Sequence, residues 1–382
     1  MADFTLRISP NITLGSYTAS RLGQFVQEWG TRFMLILDPV LGEYGISDKL
    51  KKSLSDRNIE FFVFDEIPSA ADTTVLQTAL ELARKAHIHG VISAGGQKTE
   101  NLGRAVATLI HESHSVYDYL DGATPVSGAL PLICVPTTMH DLFLFADKTP
   151  IIDARTKKLK LLPIRQNTCK LALFDPNLCV SLTENQVSSI SLQMLCIAIE
   201  SYISQKACFF SDTINEKAIE LLSCGLDSKP SLTTAVPPEQ LLIQGGCMAS
   251  LAAGMSPAGA ASLLACTINA KYKLPRSVVT TILFPYIIED AAKYKSDKLA
   301  KVARILNVAS DTSSNDTAVN ALVESVRERI AIANLPARLK DMGVSIEQLA
   351  LAAENAGQLE LMTSLPRSMS ADELFDLIKQ AY

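Results

Sequence analysis

A chain of 382 residues is too long for one comfortable core and suits two domains. With 48% hydrophobic and 20% charged residues it is not a disordered chain. A formal charge of -5, spread along the sequence, excludes a nucleic-acid binder; the short cluster Lys157, Lys158, Lys160 reads as a solvated turn. Eight cysteines, spaced ten residues or more apart, form neither CxxC nor a zinc pattern, so they read as reduced, mostly buried thiols of a cytoplasmic protein.

The opening MADFTLRISP has no basic start leading into an apolar run, and no signal peptide is expected. Short β-forming runs follow at 33–37 (FMLIL), 61–64 (FFVF), 90–94 (GVISA) and 132–135 (LICV), most of them closed by Asp, Pro or Gly. Helical patterns at 72–87 and 101–112 lie between them, and that alternation predicts a parallel sheet wound with helices. The run at 90–94 leads straight into AGGQKTENLGRAVATL. A strand, paired glycines and a helix start form a cradle of free backbone N–H groups for an anionic ligand.

From about residue 183 helical periodicity takes over, through 186–225, 239–270, 276–293, 296–306, 315–333, 345–355 and 371–382. Pro150, Pro163, the turn-like CGLDSKPS with Pro230, and Pro237–Pro238 punctuate the chain. Residues 240–270 carry no charge, long enough for a membrane span. Pro257, Gln240, Gln244, Asn269 and many small residues instead predict closely packed helices of a domain away from any membrane. The expected organisation is an α/β nucleotide-binding domain over 1–180 and an all-helical domain over 181–382, with a cleft between them.

Several blocks, in order, carry a resemblance. They are Gly15 in ITLGSYTASRLG, LILDPVL, VISAGGQKTENLGRAVA, VPTT at 135–138, FDPNLCVSLTENQ, IAIESY at 197–202, LPRSVVTTILFPYII, and the closing NLPARLKDMGVSIEQLALAAENA and LPRSMSADELFDLIKQAY. Over nearly its whole length the chain resembles the iron-containing (group III) alcohol dehydrogenases and, more distantly, glycerol dehydrogenase and dehydroquinate synthase. The resemblance implies the dehydroquinate synthase-like fold, a small-molecule substrate, an NAD(P) cofactor and a homodimer.

The departures are as informative. The family binds a divalent metal through Asp and His spaced i, i+4 on one helix plus two more histidines. Those positions fall on Gln193, Ile197, Ser262 and Arg276, and a further catalytic histidine falls on Cys266. The histidines of the whole chain are His87, His89, His111, His114 and His140. Ile has no lone pair and Arg is not deprotonated, so neither iron nor zinc is expected.

On the cofactor side, the resemblance places Asp38 on the adenosine ribose, favouring NAD over NADP, although a strand-end Asp before Pro39 is also a common turn. Gly95 and Gly96 persist. The family's third glycine and serine are Gln97 and Lys98; Gln97 crowds the backbone, whereas Lys98 can pair with a phosphate. Thr137 and Thr138 open the second cofactor loop, and Lys160 has the spacing of a lysine that reaches the cofactor. The rest of that loop, TTxGTGSE in the family, is Met139, His140, Asp141, Leu142, Phe143, Leu144, and the bulky replacements should displace the cofactor or fill its pocket.

The candidate catalytic residues are Arg276, Gln193 and His140. Adjacent residues on an extended segment face opposite ways, so His140 and Asp141 are not expected to act together, and His140 reads first as structural. Arg276 is expected to supply the positive charge the metal would bring. It would either hold a carboxylate or carbonyl of an anionic keto acid or close an internal ion pair, for instance with Glu200. Three functions remain open: a metal-independent NAD(P)-dependent oxidoreductase, a non-catalytic member kept for binding a ligand or partner, and a lyase-like activity in the manner of dehydroquinate synthase.

Overall fold

The computed structural model describes residues 10–67, 71–227, 236–257 and 259–382. The opening MADFTLRIS and Pro230 lie outside them. Two compact units emerge. The first takes the chain up to Thr138 together with Asp147–Ile151 and Leu162–Ser181; the second takes Met139–Ala146, Ile152–Leu161 and Leu182–Tyr382. A single cut near residue 180 therefore misses two excursions, and the second cofactor loop is one of them.

The first unit is built on strands β1 (Asn11–Leu14), β2 (Arg32–Leu37), β3 (Glu60–Phe64), β4 (Gly90–Gly95) and β5 (Leu132–Pro136), joined by β8 (Cys169–Phe174) after a two-stranded ribbon, β6 (Lys148–Asp153) and β7 (Lys158–Pro163). The six-stranded sheet runs β1-β8-β5-β4-β2-β3 with every pair parallel. Continuous apolar runs suit this sheet, because both faces of its central strands are covered. Phe33, Leu35, Leu37, Ile92, Ala94, Ile133 and Val135 are buried in one cluster. Helices α1 (Ile46–Ser55), α2 (Thr73–Lys85) and α3 (Gln97–Leu109) accompany the strands. The Asp72 side chain starts α2 by accepting from the N–H groups of Thr74 and Val75.

The four expected strands form. β1, β8 and the ribbon were not anticipated: β1 is a short segment running into the turn at Gly15, and β8 leads into the block FDPNLCVSLTENQ, which read as a domain junction. Sequence order reverses about β2: β3 lies on one side and β4 on the other. The carboxyl ends of β2 and β4 thus flank a topological switch point, where open α/β sheets bind ligands.

The second unit is helical: α4 (Glu184–Ile203), α5 (Phe209–Leu226), α6 (Pro238–Met255), α7 (Ala260–Tyr272), α8 (Arg276–Ile305), α9 (Asn315–Ile332), α10 (Ile346–Gly357) and α11 (Ala371–Gln380). The pattern expected over 186–225 is two helices, whereas the two expected at 276–293 and 296–306 form as expected, the two arms of α8 meeting at a kink where Lys295 leaves helical geometry (φ -137°, ψ 31°). The charge-free stretch becomes α6 and α7, bent by 97° at the break between them. Among the described residues no single helix is long and apolar enough to cross a membrane. The glycines of this stretch have packing work. A Cβ on Gly246 would sit 2.2 Å from the carbonyl oxygen of Met139, and one on Gly254 would sit 2.9 Å from that of Phe145. Small residues let the backbone of 139–146 lie directly on α6.

Candidate functional site

In the first unit, Asp38 and the Gly95–Gly96 turn close the carboxyl ends of β2 and β4. The two ends are tied together, since the Asp38 N–H donates to Ala94 O and the Thr137 N–H to Gly95 O, each at 3.0 Å. Gly95 has φ 154°, and a Cβ there would meet Thr99 Oγ1 at 2.7 Å and Asp38 Cβ at 2.9 Å, so this turn requires glycine. At Gly96 a Cβ would meet only Thr138 Cγ2, at 3.6 Å, leaving open the approach to the first turn of α3. That helix begins at Gln97, four residues earlier than its pattern suggested. No side chain caps it, and its leading N–H groups present the positive end of the helix dipole.

Lys98 is not held ready for a phosphate alone. Its ammonium lies 3.6 Å from Asp38 Oδ1, an oxygen that also accepts from the Val40 N–H at 3.4 Å. The residue expected on the ribose and the residue expected on a phosphate therefore face each other. Asp38, Gly95, Gly96, Thr137 and Thr138 come together at one end of the sheet, with Lys98 set against Asp38, and are the residues that could hold the adenosine-phosphate portion of a dinucleotide. Lys160 belongs to the other unit, where it lies 3.7 Å from Asp153 Oδ2. Asp153 is fully buried and gripped by Arg155 through Nε at 3.0 Å and Nη2 at 2.8 Å, which holds its carboxyl below the ordinary range.

The loop 139–146 is interior. Met139, His140, Asp141, Leu142, Phe143 and Leu144 are all buried. His140, at a position where the family has glycine, keeps a glycine-like backbone with φ 110°. The segment is consequently not extended, and the expectation that His140 and Asp141 diverge fails: His140 Nε2 lies 3.8 Å from Asp141 Oδ1. Asp141 Oδ1 also accepts from the N–H groups of Phe143 at 2.9 Å and Leu144 at 3.2 Å, folding the loop around itself. Asp141 Oδ2 is buried and receives no hydrogen bond.

Gln193, Ile197 and Glu200 are buried on α4; Ser262 and Cys266 are buried on α7. Ser189, one turn before Gln193, bonds Ser277 at 3.1 Å, so this face of α4 looks toward the start of α8. There Arg276, whose side chain is 12% exposed, turns inward. Its Nη1 donates to Cys266 Sγ at 3.2 Å and lies 3.8 Å from Asp141 Oδ2. The ion-pair partner is thus Asp141 and not Glu200. Glu200 is committed elsewhere: it accepts from Ser262 Oγ at 2.6 Å and from the Ala261 N–H at 2.8 Å, tying down the start of α7. Burial raises the Glu200 carboxyl, and these bonds counter it in part. Burial likewise raises the Cys266 thiol against the opposing pull of Arg276, keeping it a neutral thiol.

Asp141 was missed as part of this site. Its signal was present: an acid leading directly into the apolar run Leu142-Phe143-Leu144 needs a partner once that run is buried.

The residues at the four metal positions, an amide, an alkyl group, a hydroxyl and a guanidinium, do not fit a divalent metal. Among the described residues no group of three or more His, Cys, Asp and Glu is placed to hold one.

Two family profiles match the chain. Iron-containing alcohol dehydrogenase matches residues 9–176, and the C-terminal part of the Fe-containing alcohol dehydrogenase family matches residues 188–382. The chain belongs to the iron-containing alcohol dehydrogenase family. It is 22% identical over 356 residues to 1,3-propanediol dehydrogenase of Citrobacter freundii, covering 92% of each chain. Lactaldehyde reductase of Escherichia coli is 21% identical, with 91% of each chain covered. Among solved structures, a 1,3-propanediol oxidoreductase superposes with TM-score 0.90 at 20% identity over 98% of both chains. An iron-containing alcohol dehydrogenase of Thermotoga maritima gives 0.84 at 18% identity over 99% of both. The fold expected from the sequence is the fold of these proteins.

Proposed function

We propose that this family member is a metal-independent, NAD(H)-dependent oxidoreductase that interconverts a small alcohol and its carbonyl compound. The observation that carries the reading is the switch-point cradle: Gly95 in a conformation only glycine holds without strain, Gly96 open above an uncapped helix start, and Asp38 beside them. Backbone N–H groups and the dipole of α3 suit a pyrophosphate, and Asp38 suits a ribose diol while repelling a 2′-phosphate. Hydride transfer is the cofactor's chemistry; a metal in such enzymes polarises the substrate oxygen, and a permanently charged donor can do the same. Arg276, turned inward at a position where relatives place a ligand, is that donor.

The buried trio Leu142, Phe143 and Leu144 favours a second reading, a family member that binds a nucleotide without turning over, because bulky side chains occupy a loop where the family has small ones. One experiment separates them. The protein is titrated with NADH and NADPH, and NADH consumption is then followed with a panel of small aldehydes in a strong chelator. Tighter NADH binding with chelator-resistant turnover supports the first reading. NADH binding with no turnover supports the second, and tighter NADPH binding overturns the role given to Asp38. Stoichiometric iron or zinc in the purified chain overturns metal independence.

A further inference from the structure

Arg276 and Asp141 make an unusual pair. Charged partners meant only to neutralise one another close to about 2.7–2.9 Å. Here Nη1 and Oδ2 stand 3.8 Å apart, beyond hydrogen-bond reach. Arg276 instead spends an N–H on a thiol, a weak acceptor, and Cys266 Sγ is the one acceptor its guanidinium has among the described residues. Asp141 Oδ2 is buried and receives no hydrogen bond, while Oδ1 is occupied by the loop. The pair therefore offers, a few ångströms apart, spare N–H donors and a spare acceptor oxygen. An oxygen lying about 2.9 Å from each would bridge the gap.

We propose that Arg276 and Asp141 form a binding site for one neutral, hydrogen-bonding oxygen, the hydroxyl of an alcohol or the carbonyl of its oxidised form, with Arg276 donating to that oxygen and Asp141 Oδ2 taking its proton. This rests on the oxidoreductase reading and names its substrate class. In alcohol oxidation an oxidised nicotinamide, when bound, would accept as hydride the electron pair of the C–H bond that breaks. The O–H bond breaks, its electrons form the second C–O bond, and the proton ends on Asp141 Oδ2. Reduction runs these steps backwards. Charge selects the substrate. Arg276 and Asp141 sum to zero, Cys266 is a neutral thiol, and Gln193, Ser262 and Ile197 are uncharged; the other titratable neighbours are His140, 3.8 Å from Asp141, and Glu200, an acid acting on Cys266 that opposes a second anion as Asp141 does. A carboxylate brought to Arg276 would face the Asp141 carboxylate across less than 4 Å of protein interior, so the anionic keto acid that Arg276 alone suggests is disfavoured.

The test is direct binding to the full chain, by titration calorimetry, alone and with saturating NADH. The probes are isobutyramide, which presents a carbonyl acceptor beside an N–H donor, and isobutyrate, which has the same shape with a negative charge. The wild type is expected to bind the amide at least about tenfold more tightly than the carboxylate. Asp141→Asn keeps the Oδ1 acceptor used by Phe143 and Leu144 and removes the charge; it is expected to invert that preference. Arg276→Gln is expected to weaken both probes. Equal or tighter isobutyrate binding by the wild type, or no binding of either probe in either state, overturns the proposal without any variant having to fold. An unchanged preference in a folded Asp141→Asn protein overturns it as well. NADH binding with the wrong probe preference defeats this site and leaves the oxidoreductase reading standing. The expected preference without any nicotinamide nucleotide binding does the reverse.

Discussion

The glycine turn after β4 and the cluster around Arg276 have both drifted from the family pattern, with opposite consequences. At the turn, the contacts expected for a ligand come from backbone N–H groups and the axis of α3. Replacing the family's glycine and serine with Gln97 and Lys98 alters the rim and leaves those donors in place. At the cluster, binding would rest wholly on side chains. Exchanging carboxylate and imidazole for Gln193, Ile197, Ser262 and Arg276 removes one kind of chemistry and admits another. A site made of backbone tolerates substitution; a site made of side chains is rewritten by it.

That contrast can be broken most forcefully at Arg276. Arg276→Met should cost about 3–5 kcal/mol, because it strands Asp141 in the interior without its cation. Chemical denaturation of wild type and variant measures this, and a loss under 1 kcal/mol, on the order of a surface pair, would mean the pair is not structurally coupled.

Next in size is Ser262→Ala, which removes a hydroxyl donor from the buried Glu200 carboxyl and should cost about 1–3 kcal/mol. The same carboxyl gives a pH signature. Burial raises its pKa in the folded state, so the folded protein binds the proton more tightly than the unfolded chain. The stability this group contributes is complete below the unfolded carboxylate value and is lost as pH rises through the folded one. Thermal melts should therefore show Glu200→Gln gaining on the wild type from acidic to neutral buffer; a pH-independent difference would refute the shift.

The smallest effect belongs to the turn. Lys98→Ala should change stability by less than about 1 kcal/mol, since its partner lies at 3.6 Å and both side chains are partly exposed. NADH affinity should hold or rise once Asp38 is released. A marked loss of affinity would show Lys98 acting on a phosphate rather than occupying Asp38.

Much of the fold was legible because continuous apolar runs such as FMLIL and GVISA have few alternatives to buried parallel strands. The short strands Asn11–Leu14 and Cys169–Phe174 were not, because they pair with each other 160 positions apart, which leaves no local period. Of the site, what depends on residue type was readable: the histidine-poor second half, the inward cation, the paired glycines. The partner of Arg276 was not. Asp141 reaches it only because the chain at His140 takes a left-handed bend, and an imidazole-bearing residue gives no local hint of such a bend. Glu200 was the natural guess along the helices; the loop supplied the answer.

The seating of loop 139–146 on Gly246 and Gly254 has a practical consequence for protein engineering. Because main chain rests on main chain there, α6 acts as a mould, and the path of the loop is cast by the helix rather than chosen by the loop's own residues. The left-handed His140 is what such a casting leaves behind, a side chain poured into a shape made for glycine. Loop sequences from relatives should therefore be graftable into this chain without redesigning their course, provided the two helix glycines are left untouched. Altering those glycines would move the whole segment at once, Asp141 included.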